Sequence, residues 1–214
     1  MKKFELTSNT KMWLGRKLFQ IKALISFGDV TAGDLGGYVE KESNLAQVGN
    51  AWVSDDARVY GDAEVSGNAR VYGNAWVYGD ARVYGNARVS NYAWVYGDAE
   101  VSGNAWVYGD ARVYGNAEVY GNAWVSGNAR VSDDARVSDD ADFLLIGPIG
   151  SRNGFTTFYR SKDGVTMVVC GCFHGTIADF ENKVDQTHGN SDHAKAYHSA
   201  AQLARIRVRR DSDA

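Results

Sequence analysis

Ala57-Arg-Val-Tyr-Gly-Asp62, Ala63-Glu-Val-Ser-Gly-Asn68 and Ala69-Arg-Val-Tyr-Gly-Asn74 follow one another without a gap. The same grammar runs from Ala51 to Asp140, fifteen hexads that each open Ala-x-Val, with no insertion or deletion. A short unbroken period specifies a solenoid, in which each unit buries its apolar face only against its neighbours. Side chains alternate across a strand, so Ala and Val share one face and x takes the other. Position x is always Trp, Arg or Glu, which places Ala and Val inside and the larger residues outside. The rest of the hexad, Tyr or Ser followed mostly by Gly and by Asn or Asp, is turn chemistry that bends the chain at low cost. A short strand and a corner in every hexad close a triangle, giving eighteen residues per coil and stacking residue i on i+18.

That register has an internal check. One outward column reads Trp52, Arg70, Arg88, Trp106, Trp124; the next reads Arg58, Trp76, Trp94, Arg112, Arg130; the third reads Glu64, Arg82, Glu100, Glu118, Arg136. Every outward Glu falls in the third column and every outward Trp in the other two, a segregation that appears only at period eighteen. Column three suits water as a Glu/Arg ladder, each exposed pair worth ~0–1 kcal/mol. Columns one and two interleave Trp with Arg, where cation–π contacts can add ~0.5–1 kcal/mol each. A Tyr column follows at Tyr60, Tyr78, Tyr96 and Tyr114. Two aromatic faces on a thin prism predict burial in a homo-oligomer, a trimer, or under the terminal segments. The corner Asn91-Tyr92 is an irregularity, a bulge or contact point on one reading and drift on the other.

The hexads resemble the hexapeptide-repeat, left-handed parallel β-helix family over residues 45–146. The resemblance implies the left-handed coil, an exception to the right-handed crossover rule. The run from Ile21 through Gly28-Asp-Val-Thr-Ala-Gly-Asp-Leu-Gly-Gly-Tyr-Val39 and on to Asn44-Leu45 resembles the opening of such proteins in enteric bacteria and their prophages, which often carry an acyltransferase label. Acyltransferases of this family use a catalytic His at a loop or cleft of the coil and bind coenzyme A between subunits. Here no His precedes His174 and no hexad corner carries an extruded loop, so the general base such chemistry needs is missing from the repeats.

The ends follow a different grammar. Arg16 to Phe27 reads as one strand, and the Gly-rich stretch after it lacks phosphate-loop spacing and serves as a cap over the first coil. After Pro148, Phe155–Arg160 and Val165–Cys170 read as strands around the turn Ser161-Lys-Asp-Gly164. A helix from about Thr176 to His188 with Ile177, Phe180 and Val184 on one face, then a second from Ser191 or Asp192, complete a ββαα unit that resembles a phage-type C-terminal module. The expected fold is therefore mainly β: cap and strand over 1–44, a left-handed parallel β-helix over 45–146, and a small α+β ββαα domain over 147–214.

Function concentrates, on this reading, in the C-terminal domain, which holds all four His and both Cys. Arg152, Asn153, Thr157, His174, Thr176 and His188 form a candidate anion site, because Arg and a helix N-terminus attract phosphate or carboxylate. Its bland counterpart is a capped helix with a solvated Arg152. Cys170, Cys172 and His174 would share a face on a continuing strand and could hold a metal, but the spacing departs from the usual zinc pattern and small core residues are the simpler reading. No catalytic residue, metal or cofactor is expected. The basic run Arg205-Ile-Arg-Val-Arg-Arg210 needs no more than compensation of a helix dipole.

Composition sets outer bounds. Net charge is −3, and the hexads carry seven Lys/Arg against thirteen acids, so neither a nucleic-acid duplex nor any phosphate backbone is the expected partner. The start Met1-Lys-Lys lacks an apolar core after it, no stretch is long and apolar enough for a membrane span, and two cysteines exclude a disulfide framework. Cytoplasm is the expected compartment. The expected function is a non-catalytic oligomeric solenoid presenting a C-terminal domain that binds a small anionic ligand or a partner. If phage-encoded, it would sequester a nucleotide-like signal. The alternative is a hexapeptide-repeat acyltransferase using acyl-CoA.

Overall fold

In the computed structural model, residues 2–208 are described; Met1 and 209–214, including the last two arginines of the basic run, lie outside the described residues. The hexads form a parallel β-solenoid. Trp52 pairs with Arg70, Arg70 with Arg88, Arg88 with Trp106 and Trp106 with Trp124, all in parallel register. Columns two and three pair in the same way, from Arg58 to Arg130 and from Glu64 to Arg136. Every hexad Ala and Val from Ala51 to Val137 is at most 2% exposed. The core is thus a column of small side chains, narrow because Ala and Val are all that three converging strands leave room for.

From Asp55 to Asp133 the fifth hexad position turns each corner in the left-handed region, with φ of 71° at Gly61 and 75° at Gly79. A Cβ on Gly79 would meet the Gly97 nitrogen at 3.0 Å, so stacked corners favour glycine twice over. Asn91 adopts the same conformation at φ 59°. Its carbonyl accepts from Asn74 N (2.7 Å) and Tyr92 N donates to the Gly109 carbonyl (2.9 Å), so the coil passes through this corner without a bulge. One ladder was not anticipated from the sequence. The amides of Asn50, Asn68, Asn86 and Asn104 each donate to the Oδ1 of the next asparagine in the file, which ends at Asn122, at 3.0–3.1 Å. The Tyr column stacks, with ring centroids 4.9–5.1 Å apart from Tyr60 to Tyr114.

The N-terminal expectation needs correction. Two strands, Phe4–Trp13 and Arg16–Ala23, form an antiparallel hairpin where one strand over 16–27 was expected. The first arm is polar and partly exposed, so it carries no burial pattern to read. Leu35–Val39 then joins the hairpin to the solenoid, antiparallel to Arg16–Ala23 and parallel to Arg58–Val59. Phe4 and Phe27 close on Trp52, which is 4% exposed. This covers the open edge of the first coil, the role expected of the Gly-rich segment.

The C-terminal sheet also departs from expectation: it has four antiparallel strands where two were predicted. Phe143–Ile149, Gly154–Arg160, Thr166–Cys170 and Phe173–Thr176 pair in sequence order, followed by α1 (Ile177–His188) and α2 (Asp192–Arg207). Residues 143–146 are therefore sheet residues of this unit. The unit is seated on the last coil. Arg130 N donates to Thr157 Oγ1 (2.9 Å), Lys162 N to the Asp134 carbonyl (2.8 Å), and buried Asp142 lies 3.2 Å from Arg160 Nε.

Two outcomes follow from this packing. Val95 is fully buried at mid-solenoid, and Val95→Asp would place an uncompensated carboxylate there; loss of the cooperative thermal transition is expected, and wild-type melting would contradict the core assignment. Lys3 is buried, its ammonium donating to the Ala51 carbonyl (2.9 Å), and burial followed by repulsion from Arg70 lowers its pKa from 10.5 to about 8. Between those values the unfolded chain holds a proton that the folded chain has released, so stability rises with pH in that window. The melting temperature should increase from about pH 8 to pH 9.5 relative to Lys3→Met, and parallel curves for the two proteins would refute it.

Candidate functional site: a basic cleft at the end of the solenoid

A cleft of about 590 Å³ lies where the last coils meet the C-terminal unit. Column two supplies Arg112 and Arg130 from the solenoid wall; the turn before the second sheet strand supplies Arg152; α1 supplies Lys183 and His188. Asp110 is the one carboxylate on the lining. The floor is apolar, built from Phe155, Phe173, Phe180, Val184 and Tyr197. Volume and lining match those of small-molecule sites.

Local structure explains these positions. α1 begins at Thr176 because its hydroxyl accepts from Asp179 N (3.2 Å) while the Asp179 carboxylate accepts from the Thr176 hydroxyl (2.7 Å). Phe180 and Val184 then fall on the inward face with Ile177, and His188 ends the helix one turn beyond Val184. Its ring centroid lies 5.6 Å from that of Tyr197 and 6.1 Å from that of His193. Tyr197 abuts Gly150, where a Cβ would sit 1.9 Å from the phenol oxygen. Gly150 also has φ 72°, so both space and backbone require glycine. Burial, with Cys170 beside it, raises the Tyr197 pKa above the ordinary phenol range.

The expected site residues divide. Arg152 and His188 both line the cleft, and Asn153 follows Arg152 in the same turn with φ 46°. Thr157, 2% exposed, spends its hydroxyl on Arg130 N. Thr176 is engaged in its own helix cap. His174 lies elsewhere: its Nε2 is 3.0 Å from the Tyr159 hydroxyl and 3.1 Å from Asp133, on the joint with the last coil. Cys170 and Cys172 line the cleft, but Gly171 and Cys172 turn the chain so that Cys170 pairs with Phe173 and Val169 with His174. A tight hairpin in place of a continuing strand separates His174 from the two thiols. Among the described residues no cluster of three or more His, Cys, Asp or Glu could hold a metal ion. Arg112, Arg130 and Lys183 were not singled out from sequence; the columns showed the two arginines facing outward, but only the seating of the C-terminal unit makes them a wall.

A repeat model described as YdcK Beta solenoid repeat matches residues 63–79, 81–97 and 111–127. Over those stretches the hexads are similar to that repeat. Over 38 residues the chain is 50% identical to "Uncharacterized acetyltransferase YdcK" of Escherichia coli (strain K12). That segment is 18% of this chain and 12% of the relative, so the chain covers only a small part of the relative's length. Trp94 lies in the matched stretch 81–97 and Arg112 in 111–127, whereas Asp110 and the C-terminal unit that closes the cleft lie outside all three. Among the described residues no helix is long and apolar enough to cross a membrane.

The Tyr197–Gly150 contact gives a direct test. Gly150→Ala should displace Tyr197 and cost about 1–3 kcal/mol, in the range of ordinary packing defects, read as a lowered denaturation midpoint. An unchanged midpoint would mean the turn does not rest on α2.

Proposed function

We propose that this protein is a β-solenoid scaffold whose C-terminal cleft binds a small anionic ligand with a ring or other apolar part, without turning it over. The observation that carries the reading is the lining itself: Arg112, Arg130, Arg152 and Lys183 stand against one carboxylate, Asp110, over an aromatic floor. Arginine offers planar donors that match phosphate and carboxylate, and the apolar floor supplies area that a bare inorganic ion would leave unused. Arg130 already gives one guanidinium nitrogen to the Gly171 carbonyl (3.1 Å), itself on the cleft lining. A ligand held this way without chemistry is sequestered, and a nucleotide-like molecule fits both halves of the lining.

Self-association belongs to the same proposal. The N-terminal hairpin occupies part of both Trp/Arg faces: Trp52 is covered, and Trp13 packs edge-on against Trp76 at 4.6 Å. Trp124 is 51% exposed at the far end of column one, so contacts of a trimer would use that end. Light scattering of the full chain gives the subunit number.

The relative's name favours a second reading, acyl transfer. His188 is the imidazole on the cleft lining and would have to act as its base.

Calorimetry on the full chain separates these readings. A nucleoside monophosphate should bind more tightly than inorganic phosphate, and Arg152→Ala should weaken it by about 1.5–3 kcal/mol, the range for hydrogen bonds to charged groups. Equal binding by the variant would remove the cleft from consideration. Saturable acetyl-CoA turnover that is lost in His188→Ala would replace the binding reading with the enzymatic one.

A further inference from the structure

A second, smaller cleft of about 260 Å³ lies on the solenoid wall, lined by Arg58, Asn74, Trp76, Tyr92 and Trp94 together with Asp110 and Arg112. The last two also line the C-terminal cleft. The two hollows therefore adjoin along column two and are taken together as one groove. Its wall is column two, from Arg58 through Trp76 and Trp94 to Arg112 and Arg130, and its edge is the corner column Asn74, Tyr92, Asp110, Asn128. Four coil steps separate Arg58 from Arg130, about 19 Å at the usual spacing of paired strands.

The groove's charge differs from that of the repeats as a whole. The acids of the outward positions all stand in column three, where Arg82 and Arg136 lie 3.4 Å from Glu100 and Glu118. Among the described residues Arg58, Arg112 and Arg152 form no ion pair, and Arg130 bonds only a carbonyl. Arg58 lies between the Trp13 and Trp76 rings at 4.3 and 5.5 Å, where the N-terminal hairpin covers that end of the groove, and Arg112 lies over the Trp94 ring at 4.5 Å. The net acidity of the hexads thus conceals a strip of arginine in which Asp110 is the carboxylate on the lining. Tyr92 is the other anomaly. It is the single aromatic among the fifteen residues at the sixth hexad position, it is 60% exposed, and it stands on the edge of this groove.

We infer that the groove binds a short single-stranded oligonucleotide of a few residues, with a terminal phosphate among Arg130, Arg152 and Lys183, later phosphates along Arg112, and a base on the Tyr92 ring. The inference rests on the cleft's proposed role as an anion site and extends it along the solenoid. A basic groove that tracks a backbone and an exposed ring that takes a base are the two elements of sequence-tolerant single-strand binding. Trp76 and Trp94 stack on each other at 4.6 Å and 14°, so their faces are already used and they present ring edges; Tyr92 is the platform that remains.

The test is a titration of the full chain, at one fixed low salt concentration, with thymidine monophosphate, thymidylate oligomers of two and four residues, and hexaglutamate, followed by tryptophan fluorescence. Tyr92→Asn restores the residue type of Asn74 and Asn128 in the same column and so preserves the coil. Affinity should rise with oligomer length, and Tyr92→Asn should weaken the four-residue oligomer about 5- to 150-fold, the measured worth of one stacked base, while leaving the monophosphate unchanged. Equal affinity for the monophosphate and the longest oligomer, an oligomer affinity indifferent to Tyr92→Asn, or equal binding of hexaglutamate overturns the inference. Arg152→Ala keeps the two levels apart. If it abolishes monophosphate binding while Tyr92→Asn is silent, the cleft stands and the extension falls; if it leaves monophosphate binding intact, the anion site itself is wrong.

Discussion

Parallel pairing between coils forces every outward side chain to sit over the one eighteen positions away, about 4.8 Å distant. All else in this molecule is an accommodation to that spacing. A distance of 4.8 Å suits flat or hydrogen-bonding groups and punishes like charges. The chain answers with amides that donate down a file from Asn50 to Asn122, phenols that stack within 5° of parallel, and Arg beside Glu or over Trp, although like charges still meet at Arg70/Arg88, Glu100/Glu118 and Arg112/Arg130. Each contact is small, but it recurs at every coil. The glycine corners obey the same rule on the backbone, since a Cβ at Gly79 or Gly85 would press within 3.0 Å of the coil above.

Such a stack has no natural end. A parallel coil finishes with unpaired strand edges at both termini, and each is closed by antiparallel structure of a different sequence character. At the start, Leu35–Val39 converts hairpin pairing into coil pairing, and Gly36 lets it approach, because a Cβ there would lie 2.6 Å from Ile21. At the finish, Tyr159 enters the solenoid core, Thr157 caps Arg130 N, and Ser132, Tyr159, His174 and Asp133 form one polar joint. The joint immobilises His174 and removes it from the cleft. It also fixes the C-terminal sheet against column two, so that a face which is only a surface in mid-solenoid becomes a wall at its end.

The legibility of this fold varies with how far each contact reaches along the chain. Strand register, core membership and the three columns follow from a period that repeats fifteen times, and Trp52, Trp76 or Glu100 could be placed on their faces from sequence. The first hairpin arm was invisible because Phe4–Trp13 buries little and so carries no alternation. The strand at Phe143–Ile149 was absorbed into the repeats because its apolar run continues theirs in composition while its partner lies in Gly154–Arg160. Of the candidate site, Arg152 and His188 were legible as cation and imidazole beside a helix. Their neighbours Arg112 and Arg130 were not, since what joins them is the docking of two units and no local pattern encodes it. Thr157 and His174 carried the chemistry of a site and serve the joint instead.

The net charge of the hexads averages over faces that differ. Summing the hexads gives an acidic segment, but a solenoid distributes its charges by column, and screening over about 8–10 Å makes each face electrostatically local. The outward acids stand in column three beside arginines, while Arg58 and Arg112 of column two lie over indole rings, which carry no countercharge. Cation–π packing therefore lets a repeat protein stack cations coil upon coil without a matching file of acids. Where uniform coils offer no distinct constellation, specificity must come from departures from the repeat. This chain has two kinds on one face: the sheet and helices that close its end, and the single ring of Tyr92 where every other coil carries Asn or Asp.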